Sequence, residues 1–253
     1  MAQLNHEKLK VYQKAIEFFA FSNKICSSIK KAFSTKNHLW RASTSIAINI
    51  AQANAKSSIK ERRNLLCTSF GSILECAACL DIFYLKRCLS SSQKNCKRVL
   101  LYEIGSMIIG LLKMKANEVN ENQPEYEGNN RDNNITFSHE ELEIYKKALA
   151  FFEWFDKLCC EQQINELIYQ SLDKSSTSLI LNIAEGDGRY SFRERSRFIV
   201  HAHSAVLSSS SWLDVLLVDS SNRISEIEKG KSQLVGIASM LMAWKRSISS
   251  YGT

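Results

Sequence analysis

The chain has 253 residues, 45% of them hydrophobic, with one proline, nine glycines and a net charge of +7 from 33 Lys and Arg against 26 Asp and Glu. That length holds one large domain or two small ones, and a composition short of helix breakers and rich in Leu, Ile, Ala, Lys and Glu argues for an all-α fold over a sheet-rich one. The longest apolar stretch, LLYEIGSMIIGLLKM (Leu100–Met114), is too short to span a bilayer and carries Glu103, and MAQLNHEKLK has no signal-peptide core, so a cytoplasmic protein without membrane contact is expected.

The first element is predicted from Leu9, Tyr12, Ile16, Phe19, Cys26 and Ile29, which recur at helical steps, with Asn5 as its N-cap. A second helix carries Leu39, Ala42, Ile46, Asn49, Ile50 and Ala53. A third carries Ile59, Leu66, Phe70, Ile73, Ala77 and Leu80 behind the capping box Ser58-x-x-Glu61. A fourth runs from about Cys96 to Met114. The whole pattern then repeats at one constant offset. HEKLKVYQKAIEFF at His6 returns as HEELEIYKKALAFF at His139, and STSIAINIA at Ser43 as STSLILNIA at Ser176. In the second copy the apolar faces are Leu142, Tyr145, Leu149 and Phe152, then Leu172, Ser175, Leu179, Asn182 and Ile183, then Phe192, Ile199, His203, Val206, Ser210 and Leu213. A last helix spans Ile224 to Ile248. Ser138-x-x-Glu141 and Ser191-x-x-Glu194 are its capping boxes.

Two tandem antiparallel up-down four-helix bundles follow, residues 1–116 and 138–253, joined by a polar, acidic linker over 117–137 that holds the only proline. Charge divides unevenly between them. Residues 1–117 hold 19 Lys and Arg against 6 Asp and Glu, a net +13, whereas residues 118–253 hold 14 against 20. A small domain that basic attracts phosphate backbones, with salt-dependent and sequence-independent binding.

No chemistry-bearing constellation accompanies this charge. The eight cysteines lie largely in apolar, helix-periodic surroundings and read as buried free thiols; Cys76-x-x-Cys79 lacks the two further ligands of a zinc site. HEKLK and HEELE lack the second His of a zinc-protease motif, no Glu-x-x-His pair occurs, and His201 and His203 face different ways on a helix. No metal, cofactor or catalytic residue is assigned, and no enzyme is expected.

The densest local signal is NIAEGDGR, Asn182–Arg189. Its glycines follow a helix instead of a strand, which disfavours a phosphate loop. Gly186 is expected in the left-handed position that ends a helix, with Ser191 starting the next. Arg195 and its counterpart Arg62 fall on the apolar side of the third helices. Arg195 is expected to pair with Glu185 or Asn182, and Arg62 with Asn49 or Gln52.

LEIYKKALAFFEWF followed by SSTSLILNIAEGDGRYSFRERSRFI resembles the four-helix-bundle family encoded in 23S ribosomal RNA intervening sequences, which also includes the accessory variability protein of diversity-generating retroelements. Its pattern SxxxNIAEGxxR is matched by Ser178, Asn182, Ile183, Ala184, Glu185, Gly186 and Arg189. The resemblance covers nearly all of the second copy. It extends in weaker form over the first, where SIAINIAQANAK keeps Ser45 and Asn49 but has neither the Glu nor the glycines. It implies a ring-forming homo-oligomer, commonly a pentamer, without known catalysis; the retroelement branch implies a basic partner of a reverse transcriptase and its RNA. The usual member is a single bundle, so the tandem chain departs from it.

The expected function is therefore a non-enzymatic RNA- or DNA-binding accessory protein serving a reverse transcriptase or another RNA-handling partner, with an oligomeric protein-interaction scaffold as the alternative. The residues expected to meet nucleic acid are Lys56, Lys60, Arg63, Lys86, Arg87, Lys94, Lys97 and Arg98 in the first copy and Arg189, Arg193 and Arg197 in the second.

Overall fold

A computed structural model describes residues 4–29, 33–113, 137–161, 164–189, 191–219 and 224–249. It is all-α: no strand occurs among the described residues. After a 3-10 turn, Asn5–Lys8, come α1 (Lys10–Ser28), α2 (Ser34–Ala55), α3 (Ile59–Leu85) and α4 (Ser91–Lys113). A four-residue α5 (Ser138–Glu141) precedes α6 (Glu143–Glu161), α7 (Glu166–Asp187), α8 (Phe192–Asp219) and α9 (Ile224–Ser249). The starts of α6, α7, α8 and α9 follow those of α1, α2, α3 and α4 at the offset of the sequence repeat, α7 alone starting slightly early. The sequence period is therefore also a period of helices. Most of the linker expected at 117–137 lies outside the described residues; its last residue, Phe137, is buried.

The chain divides into two compact units. The first comprises residues 1–32, 36–84 and 88–137, and the second residues 33–35, 85–87 and 138–253. In the first, α1 and α4 run antiparallel, joined by Lys14 donating to Glu103 at 2.5 Å. The α1–α2 pair is joined by Cys26, whose Sγ donates to the carbonyl of Lys36, and by the Phe19–Trp40 ring contact. Between α2 and α3, Ser69 donates to the carbonyl of Ile46, Ser72 to the hydroxyl of Ser45, and His38 lies 2.9 Å from Glu75. In the second unit α6 packs on α7 and α9, and α8 packs on α7 and α9, closing a ring of four helices.

Which face each helix buries follows the sequence period in most helices, but Ile59 and Phe192, expected on the apolar faces of α3 and α8, are exposed, and the face of α1 is revised. On α1 the core residues are Val11, Ala15, Phe18, Ser22 and Cys26, while Ile16 is exposed and Tyr12 and Phe19 are half-buried. The face is rotated by one residue from the expected one. VYQKAIEFFAF is apolar on most sides, so periodicity alone does not orient it and the neighbouring helices do. Helix α3 carries an apolar 18-residue window of mean hydropathy 1.6, long enough to cross a membrane, but 78% of that window is buried inside the protein. The residues that fill it, Phe70, Ile73, Leu74, Ala77, Ala78, Cys79 and Phe83, are core residues here.

The caps follow the sequence in part. Ser58 and Ser191 accept from the amides of Glu61 and Glu194. A third box, not anticipated, has Ser90 exchanging bonds with Gln93 at the start of α4. Asn5 is not an N-cap: the turn there begins with Leu4, whose N–H donates to Glu7. The described cysteines are free thiols; burial pushes the Cys26 thiol up, against the nearby Lys36 ammonium. Among the described residues no group of His, Cys, Asp and Glu could hold a metal ion.

Candidate nucleic-acid interface

The α2–α3 turn is where the first unit gathers cations. α2 ends at Ala55, Ser58 caps α3, and between and just beyond them stand Lys56, Lys60, Arg62 and Arg63. Lys56 and Lys60 are exposed and the two arginines half-buried. Lys56 pairs with Glu61 at 3.2 Å, while Lys60 has no ion pair among the described residues. The N-terminal end of α3 adds its own partial positive charge here. Because α1 and α4 are antiparallel, Lys10 at the start of α1 and Lys113 at the end of α4 lie at this same end.

The remaining candidates of the first half sit elsewhere. Lys94 and Arg98 both turn toward Asp81, buried on α3, at 3.2 and 3.7 Å, and their side chains are only 17% and 13% exposed. Lys94 also caps the Tyr84 ring and Lys97 the Phe21 ring. Lys60 and Asp81 stand near opposite ends of α3, about 30 Å apart at a rise of about 1.5 Å per residue. One surface therefore cannot be drawn through the α2–α3 turn and the α4 cluster, and Lys94 and Arg98 are held by an internal carboxylate. Arg87 is exposed just beyond α3, at a φ of 57°, the one non-glycine residue with positive φ among those described. The N–H of Cys88 donates to the carbonyl of Phe83 at 2.8 Å, so Arg87 occupies the left-handed position of a Schellman motif that usually takes glycine. Lys86 departs most from expectation. Its side chain is 1% exposed, between Asp156 and Asp173, and it is not a surface cation.

In the second unit the equivalent turn is NIAEGDGR. The helix does not stop at Gly186: α7 runs through it to Asp187, and the residue after the helix is Gly188, with right-handed φ of −75°. No glycine with positive φ occurs among the described residues. Gly186 is instead a contact glycine. A Cβ there would stand 3.2 Å from Phe198 Cβ and 3.5 Å from the Trp244 ring. Glu185 pairs with Arg189, one turn on, at 3.0 Å, and the Arg189 guanidinium lies over the Phe198 ring. Arg195 does not use Glu185. Its Nε and Nη2 donate to the carbonyls of Arg189 and Asp187, each at 3.2 Å. Asn182 donates to the carbonyl and hydroxyl of Ser178, as Asn49 does to Ser45. Both asparagines are thus satisfied within their own helix, one turn back, and neither expected Arg–Asn pairing forms; Arg62 has no ion pair among the described residues. Arg193 and Arg197 remain exposed.

Sequence reasoning missed the groups that fix these cations. Asp187 accepts from the Ser138 hydroxyl, and burial pushes its carboxyl up, while that hydroxyl and Arg195 pull it down. Asp81, one of six acids in the first 117 residues, sits within an apolar run. That setting, with its recurrence as Asp214, was the available signal. Asp214 pairs with Lys231, the position equivalent to Arg98.

No curated protein and no solved structure matches the chain. A family model does match, and the matched stretch lies in the basic half, whereas NIAEGDGR stands in the other. Residues 7–110 are similar to the family described as 23S rRNA-intervening sequence protein.

Proposed function

We propose that the protein is a non-enzymatic, RNA-directed nucleic-acid-binding protein whose main contact surface lies on the first half of the chain. One observation carries this reading. Five of the six carboxylates in residues 4–113 are engaged: Glu7 by the Leu4 amide, Glu61 by Lys56, Glu75 by His38, Asp81 by Lys94 and Arg98, and Glu103 by Lys14. Lys8, Lys10, Lys24, Arg41, Lys60, Arg62, Lys97 and Lys113, all in the first unit, have no carboxylate partner among the described residues. A surplus of cations on a small helical unit suits a phosphate backbone. The match of residues 7–110 to an rRNA-associated family supports RNA as the polyanion.

Within that surface the α2–α3 turn, Lys56, Lys60 and Arg63, is the leading contact. Arg193 and Arg197 offer a smaller one on α8. An RNA-handling enzyme such as a reverse transcriptase is the partner class such an accessory protein serves. Binding of labelled single-stranded RNA by the full chain at rising salt tests the reading: affinity should fall steeply, and Lys60→Gln with Arg63→Gln should flatten the dependence.

A second reading, a scaffold that binds protein or itself, rests on exposed apolar side chains of the second unit. Val200, Leu207 and Val218 on α8 and Val235 and Met242 on α9 are 41–87% exposed. Sedimentation of the full chain free of nucleic acid tests it; a monomer at micromolar concentration would count against homo-oligomeric rings.

A further inference from the structure

The second unit contains a buried lysine. The Lys86 ammonium donates to Asp156 Oδ1 at 3.1 Å and to the Tyr169 hydroxyl at 2.8 Å, and stands 2.8 Å from Asp173 Oδ1. The Phe33, Phe152 and Tyr169 rings surround it at 4.1, 5.0 and 5.1 Å from their centroids. The other oxygen of Asp173 accepts from both the N–H and the hydroxyl of Ser34, each at 3.1 Å. The Thr35 and Thr177 hydroxyls meet at 3.3 Å beside it. All of these residues belong to the second unit.

An ammonium stripped of water is tolerated only where carboxylates, hydroxyls and ring faces replace its hydration. Asp173 is equally dependent: it is 2% exposed, and its neutralising groups are Lys86 and the first amide of α2, one of the N–H groups a helix cannot satisfy internally. Neither of these two neutralising groups lies in residues 138–253. The cluster also cannot be built at the equivalent place one repeat away, since the counterpart of Lys86 in the second copy is Asp219 and the counterpart of Asp173 in the first is Trp40.

We infer that Phe33–Thr35 and Leu85–Arg87 are structural members of the second unit, held by Asp156, Tyr169 and Asp173, and that Lys86 is its internal pin and not a phosphate contact. Residues 138–253 alone are then an incomplete unit, lacking the cation that neutralises Asp156 and Asp173.

Hydrogen exchange of the full chain, read by mass spectrometry, tests this. Lys86→Met should speed exchange of the α6 and α7 amides around Asp156 and Asp173 about tenfold or more, while α4 amides keep the wild-type rate. Lys86→Met/Asp173→Asn should recover part of that loss, because the second change removes a stranded charge. If Lys86→Met does not accumulate folded, the isosteric Asp173→Asn must show the same localisation in α6 and α7. Unchanged exchange in α6 and α7, an equal loss in α4, or additive effects in the double variant would each overturn the inference. So would wild-type exchange combined with a weaker salt dependence of RNA binding in Lys86→Met.

Discussion

Arg195, on the first turn of α8, donates to the carbonyl of Asp187, the last residue of α7, at 3.2 Å, and to the carbonyl of Arg189 at the same distance. A helix end leaves carbonyls without partners, and here a planar guanidinium from the next helix takes one of them together with a carbonyl of the turn that follows. Arg195→Ala should therefore lower stability by about 1–3 kcal/mol, measured by urea denaturation. Arg195→Lys should recover less than half of it, because an ammonium lacks the two-pronged geometry. Glu185→Gln, which touches a different arginine, should not mimic the loss.

Asp187 gives the turn a pH dependence of stated sign. Its folded-state carboxyl is held above the ordinary carboxylate range by burial, so the folded chain binds this proton more tightly than the unfolded one. Its contribution is fully present at low pH and is lost as pH rises through the folded-state value. Asp187→Asn, which can still accept from Ser138, should be more stable than wild type at pH 7. That advantage should shrink as the pH is lowered toward 4. A constant difference across that range in chemical denaturation would contradict the assignment.

Three glycine-related positions separate packing from helix propensity. A Cβ on Gly230 would stand 2.2 Å from the Trp154 ring and 3.1 Å from Leu213, whereas one on Gly236, further along α9, would meet nothing within 4 Å. Gly230→Ala should destabilise by about 1–3 kcal/mol and Gly236→Ala should stabilise by about 0.5–1 kcal/mol. Arg87→Gly, which relieves a left-handed arginine, should stabilise by about 1 kcal/mol while removing one exposed cation. Calorimetric melting of the three variants checks all three signs.

These positions also show where the sequence is legible. The order of the eight long helices and the repeat period follow from apolar spacing and from serine caps, because both are local properties of a helix; the short turn Asn5–Lys8 and the separate α5 do not. The orientation of α1 does not, since a segment apolar on most sides is oriented only by what packs against it. Gly186 is a contact glycine and not a helix stop, for a related reason. Glycine is compatible with both a left-handed stop and a close helix contact, and Phe198 and Trp244, on the two helices that follow, decide between them. The basic set was legible as charge but not as surface. Lys86, Lys94, Arg98 and Arg189 are each held by a carboxylate, and three of those acids, Asp156, Asp173 and Asp81, stand on a different element from the cation they hold.

That distinction is measurable among the cations themselves. Lys60→Gln should change stability by no more than about 0.5 kcal/mol and weaken RNA binding with a shallower salt dependence. Lys94→Met should do the reverse, costing about 1 kcal/mol by leaving Asp81 short of one of its cations and leaving the salt dependence near wild type. Paired melts and binding titrations on the two variants test the division of the basic residues into surface and internal groups.

The most direct test of the central claim is a fluorescence-anisotropy titration of the full chain with a labelled single-stranded RNA between about 50 and 300 mM salt. Each phosphate neutralised on a single strand adds roughly −0.7 to the slope of log affinity against log salt. Wild type should show a slope of about −3 or steeper, and Lys56→Gln/Lys60→Gln/Arg63→Gln should bring it closer to zero by roughly 1.5–2. Absence of binding at the lowest salt, or a triple variant with the wild-type slope, would contradict the account.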